Sequence, residues 1–229
     1  MKYTHVFFDL DGTLADTLQD VVAALTHSFM DVHSEEFSYA HVKLWIGHGL
    51  EHLIKSALKS INASVSKKNI SYYSEKFLHY YERYPVVHTI LYPEVYAVLE
   101  ELRIKLDTLS ICSNKPIKMV EKILSSFNIR QFFDFVSGGD SFDVKKPDAD
   151  HIYRTNPIIS PNMISTCLFV GDSKTDMLAA HNVGMDSVLV EFGYMQDNTI
   201  IDMATYSIKT MKEVLLIVSG IRKLVSEVL

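Results

Sequence analysis

The chain has 229 residues, of which 48% are hydrophobic and 22% charged, with nine glycines and six prolines; at about 150 residues per domain this is one or two folded domains with no sign of disorder. The formal net charge of −6 argues against a broad nucleic-acid-binding surface, which needs a basic stripe. No apolar run reaches the length of a membrane span or a signal-peptide core, and two cysteines are too few for a disulfide framework or a cysteine-rich zinc site, so the cytoplasm is the expected location.

The first element is an apolar run predicted as a strand over His5–Leu10. It is followed by a helical pattern in which Thr17 and Asp20 resemble an N-terminal capping pair, with Val21, Val22, Leu25 and Phe29 on one face. Residues 15 to about 85 contain further helical patterns and no convincing strand. Phe77, Tyr80, Tyr81 and Tyr84 form an aromatic stripe at helical spacing, read as packing within a helical module. The chain then returns through a non-helical stretch, Tyr84–Pro93, bracketed by Pro85 and Pro93. From there strands and helices alternate: strands at Thr108–Ser113, Phe135–Ser137, Thr166–Gly171 and Ser187–Glu191, with a short sixth near Tyr206–Ile208. Between them Ile117, Val120, Ile123, Leu124 and Phe127 recur at helical spacing after Pro116, and Thr175–Val183 stops at Gly184. Cys112 and Cys167 fall inside strand segments as inert buried thiols. The alternation predicts a parallel sheet wrapped by helices, interrupted after its first strand by an all-helical insertion.

Chemistry concentrates where strands end. Asp9-Leu10-Asp11-Gly12-Thr13-Leu14-Ala15-Asp16-Thr17 places two carboxylates two residues apart at the end of a buried strand, which is costly unless cations or other partners meet them. Val170-Gly171-Asp172-Ser173-Lys174-Thr175-Asp176 repeats the theme; alone it could be a helix start, where Asp and Ser act as caps. Ser113-Asn114-Lys115 ends the second strand, and Lys145-Lys146-Pro147 follows the third strand and its Gly138-Gly139 turn. A basic pair in a loop is usually solvated surface. Four such sites, each after a strand and in chain order, converge on the carboxyl ends of an open sheet, where ligands of such sheets gather.

In these four motifs the chain resembles the haloacid dehalogenase-like (HAD) hydrolase superfamily, and within it the phosphoglycolate phosphatase-like branch; the likeness of layout covers nearly the whole chain. The resemblance implies a Rossmann-like core of strand order 3-2-1-4-5, formed by residues 1–14 and 86–229, and a helical cap of the C1 type at residues 15–85. It implies Asp9 as the nucleophile that forms an aspartyl-phosphate, and Asp11 as the acid and base for the leaving oxygen and the attacking water. Mg2+ would be held by the Asp9 carboxylate, the Asp11 backbone carbonyl and Asp172. Ser113, Asn114 and Lys146 would bind the substrate phosphate, with Asp176 and Thr13 supporting the site.

Cap opening is expected by analogy, with hinges near 15–17 and 86–92. Trp45 and His48, in a glycine-flanked cap segment comparable to a loop that faces the crevice in such proteins, are candidates for selecting the substrate. His48 and His52, four residues apart, lack a third ligand for a metal. Three positions depart from the family pattern: Ala149 where a proline is frequent, Glu94 where glycine is usual, and Thr205 where aspartate is common.

The expected function is therefore Mg2+-dependent hydrolysis of a small phosphate monoester, with 2-phosphoglycolate favoured over a sugar phosphate, a nucleotide or pyrophosphate. Asp11 speaks against removal of a halide and against phosphonate cleavage. A phosphosugar mutase retains both aspartates and stays open, and a catalytically silent binding module is disfavoured because every central carboxylate and Lys146 is present. The expected partner is a small phosphorylated metabolite, neither nucleic acid nor membrane, and no feature fixes an oligomeric state.

Overall fold

A computed structural model describes residues 1–194 and 198–221. The chain opens with β1 (His5–Phe8), every residue of which is buried. The strand is buried on both faces because it lies at the centre of the sheet, paired in parallel with β4 (Thr108–Cys112) on one side and β6 (Cys167–Gly171) on the other. Outward from these lie β5 (Phe135–Ser137) beside β4, and β7 (Asp186–Val190) and β8 (Tyr206–Ile208) beside β6. Counting only these strands in chain order, the order is 3-2-1-4-5-6, the expected sheet with the short sixth strand at its edge. The order reverses at β1, so a crevice opens between the carboxyl ends of β1, β4 and β6.

Helices cover both faces. On one, α5 (Val95–Lys105), α6 (Ile117–Ser126) and α9 (Glu213–Val218) join Val6, Phe8, Leu109, Ile111, Leu168 and Val170 in the main apolar cluster. On the other, α7 (Ala149–Thr155) and α8 (Lys174–Val183) pack with Phe7, Cys112, Cys167 and Phe169, and both cysteines are buried free thiols. α8 ends at Gly184, whose φ of 74° lies in the left-handed region. Glu94 also sits there, at φ 69°, which supplies a physical reason for the glycine usual at its position in relatives of this pattern. Thr205 accepts from Ser187 N at 3.0 Å and so ties the start of the edge strand β8 to β7. Among the described residues no helix is long and apolar enough to cross a membrane.

The insertion consists of α1 (Leu18–Phe29), α2 (Tyr39–Trp45), α3 (Leu50–Ser60) and α4 (Lys67–Arg83) around a cluster of their own that includes Val22, Leu25, Phe29, Leu58, Tyr73 and Phe77. Of the aromatic stripe, Phe77 and Tyr81 are buried, Tyr80 packs at the margin and Tyr84 is exposed. Met119 of α6 completes this cluster, so a core helix contributes one methionine to the apolar interior of the insertion.

Two expectations change here. The stretch beginning at residue 15 does hold a strand, the two-residue β2 (Ala15–Asp16), which pairs antiparallel with β3 (Ile90–Leu91). The chain thus enters and leaves the insertion through one ladder, too short to show a period in the sequence. Thr17 and Asp20 also form no capping pair. Thr17 is the N-cap of α1 without a side-chain cap bond, and its hydroxyl donates to Asp11 Oδ1 at 2.6 Å. Asp20 is buried and turned to the return segment, where its carboxylate accepts from the backbone N–H groups of Val87, His88 and Thr89 and from the Thr89 hydroxyl at 2.6–3.1 Å. Tertiary donors outcompete local capping because three backbone N–H groups there would otherwise lack acceptors.

Removing that acceptor should be costly. Asp20→Ala is expected to lower the unfolding free energy by about 2–4 kcal/mol in urea titrations, with Asp20→Asn in between. A loss below about 1 kcal/mol in the alanine variant would mean that water replaces the carboxylate.

Candidate active site

The crevice brings together all four strand-end motifs. Asp9 follows β1 directly and is 3% exposed, with its backbone N–H donating to Val170 O at 3.0 Å. Asp172 follows β6 and is equally buried, and Asp176 occupies the first turn of α8 with no exposure at all. One oxygen from each of these three carboxylates lies within 4.8 Å of the others. Burial raises the Asp9 carboxyl above its ordinary range against the pull of Lys146, and burial with the charges of Asp176 and Asp9 raises Asp172 well above it.

Lys146 is the cation that makes this packing possible among the protein's own groups. Its ammonium sits 2.6 Å from Asp176 Oδ1 and 3.0 Å from Asp9 Oδ1, over the Phe169 ring. Burial works against its charge, but Asp176 and Asp9 outweigh burial and raise its pKa. The Lys146 contact to Asp9 lies off the hydrogen-bonding direction, so Asp9 Oδ1 is buried with no hydrogen-bond partner. An orphaned carboxylate oxygen beside two further carboxylates is the donor set of a divalent cation that prefers hard oxygen ligands. Asp176 is the least available of the three, since Oδ1 holds Lys146 and Oδ2 accepts from the Ser173 N–H and hydroxyl in a reciprocal capping box.

The loops are built to let these groups approach. Gly12 has φ 81°, and a Cβ on it would fall 2.2 Å from Asp172 Oδ2. Thr13 donates to Asp172 Oδ1 at 3.3 Å, and Tyr194 N donates to Oδ2 at 2.7 Å. The Tyr194 hydroxyl in turn accepts from Thr17 N and Leu18 N and donates to Asp16 Oδ1, linking the loop after β7 to the start of α1. Nothing in the sequence marked Tyr194, because it lies outside the four strand-end motifs and reaches the site only by folding.

Asp11 points elsewhere. Its carboxylate pairs with the buried Lys115 ammonium at 3.0 and 3.2 Å and accepts from the Thr17 hydroxyl, so it stands apart from the three-carboxylate group. Lys115 closes the Ser113-Asn114-Lys115 string but was not among the expected site residues; a lysine ending a buried strand beside an acidic pole was the available signal. Ser113 is buried and its hydroxyl accepts from Lys115 N at 3.3 Å.

Asn114, expected to bind the substrate phosphate, donates from Nδ2 to Gly47 O of the cap and to Lys146 O of the core and so braces two loops, while its Oδ1 is buried without a hydrogen-bond partner. The two cap candidates part company. His48 faces the core, with Nδ1 3.3 Å from the Thr175 hydroxyl and its carbonyl accepting from Lys145. Trp45 instead packs against Phe37 and His41 within the cap, and Ile46 and Gly47 line the crevice in its place.

With the architecture and this acidic pole in view, the class is that of a doubly wound α/β hydrolase with a helical insertion above its switch point. Residues 6–190 match the family described as haloacid dehalogenase-like hydrolase, and the chain belongs to that family. It is 34% identical over 202 residues to a phosphoglycolate phosphatase of Aquifex aeolicus, covering 88% of this chain and 91% of that protein. It is also 34% identical to a phosphoglycolate phosphatase of Vibrio cholerae, over 93% and 96% of the two chains. A crystal structure of a predicted phosphoglycolate phosphatase from Haemophilus somnus 129PT superposes with a TM-score of 0.85 at 29% identity, covering 95% of this chain and 98% of that one.

The charge balance of the pole is directly testable. Lys146→Met leaves Asp9 and Asp176 without their shared cation and should destabilise the protein by about 3–5 kcal/mol in EDTA, measured by urea unfolding at neutral pH. An unchanged unfolding midpoint would show that Lys146 does not compensate these carboxylates.

Proposed function

We propose that this protein is a Mg2+-dependent phosphatase that hydrolyses a small phosphate monoester, 2-phosphoglycolate before others, through a phosphorylated Asp9. The observation that carries this reading is the buried, hydrogen-bond-free Oδ1 of Asp9, held between Lys146 and Asp172 at the mouth of the crevice. The relatives named as phosphoglycolate phosphatases support the choice of substrate. Residues 1–14 and 86–229 carry the chemistry, residues 15–85 select the substrate, and the cytoplasm suits a small phosphorylated metabolite.

In this mechanism Asp9 attacks phosphorus, a new P–O bond forms to its carboxylate, and the bond to the leaving oxygen breaks. Asp11 delivers a proton to that oxygen, then takes one from the water that attacks the aspartyl-phosphate, which restores Asp9 and releases phosphate. Lys146 and the Ser113 hydroxyl hold the phosphate oxygens as charge redistributes over them. Asp9, Asp172 and the Asp11 carbonyl would hold Mg2+, with Asp176 as a further carboxylate behind Lys146 and Thr13 orienting Asp172. When bound, Mg2+ lessens the repulsion between the anionic nucleophile and its anionic target. His48 stands at the cap edge as a specificity residue, whereas Trp45 acts on the crevice only through the packing of its neighbours.

Purified protein should release phosphate from p-nitrophenyl phosphate with Mg2+ and stop doing so in EDTA, and Asp9→Asn should abolish turnover while keeping the thermal unfolding profile. Full activity in that variant would remove Asp9 from the chemistry.

A second expectation concerns pH. A carboxyl group with a raised pKa in the folded state, such as Asp9, which burial pushes up to about 6, makes folding take up protons; stability then falls as pH rises from the ordinary carboxylate value of about 4 through that raised value. Mg2+ displaces that proton, so the gain in melting temperature on adding Mg2+ should grow from roughly pH 5 to pH 7. A gain independent of pH would contradict protonation of this pole in the metal-free protein.

A further inference from the structure

Beside Asp11 lies a small cleft, walled by Val21, Leu53 and Phe77 of the cap and floored by Asn114 and Lys115 of the core. Two polar groups in it have no role in the mechanism above. Tyr81, on α4, is 1% exposed, lines the cleft, and has a buried hydroxyl with no well-directed hydrogen bond, its polar neighbour being the Lys115 ammonium. The Lys115 ammonium lies 4.7 Å from the centre of the Tyr81 ring and is equally shut off from water. A buried phenol hydroxyl almost always finds a partner, so one that lines a cleft beside a buried cation marks a place for an acceptor that is not part of the chain.

We infer that Lys115 and Tyr81 form a carboxylate-binding subsite for the leaving group, one half from the core and the other from the cap. This rests on the phosphatase reading, which sets the phosphate at Asp9 and the leaving oxygen at Asp11. Lys115 already touches Asp11, so a group one or two carbons beyond the leaving oxygen falls within its reach.

Two donors, an ammonium and a phenol, suit the two oxygens of a carboxylate. The apolar walls contributed by Val21, Leu53 and Phe77 offer nothing to the hydroxyls of a sugar or to a second phosphate. Specificity then follows from the cost of an unmatched site: an ester lacking the carboxylate leaves the Tyr81 hydroxyl buried without an acceptor and Lys115 with Asp11 as its only anion. Because Tyr81 belongs to the cap, the subsite is complete only when cap and core are together.

The experiment measures binding without turnover. In the Asp9→Asn protein with Mg2+, calorimetric titration should give 2-phosphoglycolate a Kd at least about tenfold tighter than ethyl phosphate, which has the same carbon count but no carboxylate. Lys115→Gln should erase that preference, and Tyr81→Phe, which removes one hydroxyl and keeps the ring, should cut it by about threefold or more. Melting curves check that each variant is folded, and the phenylalanine variant carries the test alone if the lysine variant unfolds.

Equal affinity for the two ligands in the parent protein, or a preference that survives both substitutions, overturns the subsite. Turnover of p-nitrophenyl phosphate by the unsubstituted protein is scored separately. A chain that hydrolyses it yet binds both ligands equally loses the subsite and keeps the phosphatase reading, whereas a chain that neither hydrolyses nor binds loses both.

Discussion

The structure depends on holding three carboxylates within 4.8 Å of one another where water does not reach them. Asp9, Asp172 and Asp176 arrive from the ends of two adjacent parallel strands and the first turn of a helix, an encounter that only the switch in strand order at β1 allows. Left alone, such a group would be expelled from the interior or would take up protons. Lys146 offsets part of its charge, and it can do so because Phe169 below and the capping box of Ser173 and Asp176 leave it one place to sit. The remaining imbalance is stored ready for a cationic ligand and a phosphate.

The second aspartate of the first motif shows how the same strand end serves two environments. Asp9 and Asp11 are separated by one residue, yet Asp9 turns toward Lys146 while Asp11 turns toward Lys115 and Thr17. Each carboxylate has its own lysine from a different loop. The pole is thereby divided into a side built on Asp9 and Lys146 and a side built on Asp11 and Lys115, and the helical insertion overhangs the second.

Much of this was legible in the sequence because the strands are short, apolar and followed at once by polar motifs. Parallel central strands bury both faces, so His5–Leu10, Thr108–Ser113 and Thr166–Gly171 stand out as continuous runs, and the acidic strings after them fall at the crevice by topology alone. Less legible were contacts that close across long separations. Tyr194 reaches Asp172 and α1 from a loop after β7, and Asp20 serves a segment almost seventy residues away, although its position in a first helical turn reads as a cap. Asn114 fits a phosphate-binding motif by type, and only the positions of Gly47 and Lys146 reveal that its Nδ2 also joins cap to core. The packing of Trp45 against Phe37 and His41 was likewise out of reach of the sequence, where a large aromatic near two glycines shows none of its partners.

The ladder of β2 and β3 deserves a last mechanical reading. Both passages of the chain between sheet and insertion run side by side there, with Ala15 opposite Leu91 and Asp16 opposite Ile90, and Asp20 grips the return strand just beyond it. Two parallel tethers fastened to each other resist twisting and sliding while still permitting bending across their common line. The four helices are therefore joined to the sheet by two strands fastened to each other, and Tyr81 and Lys115 meet across the seam between the two parts.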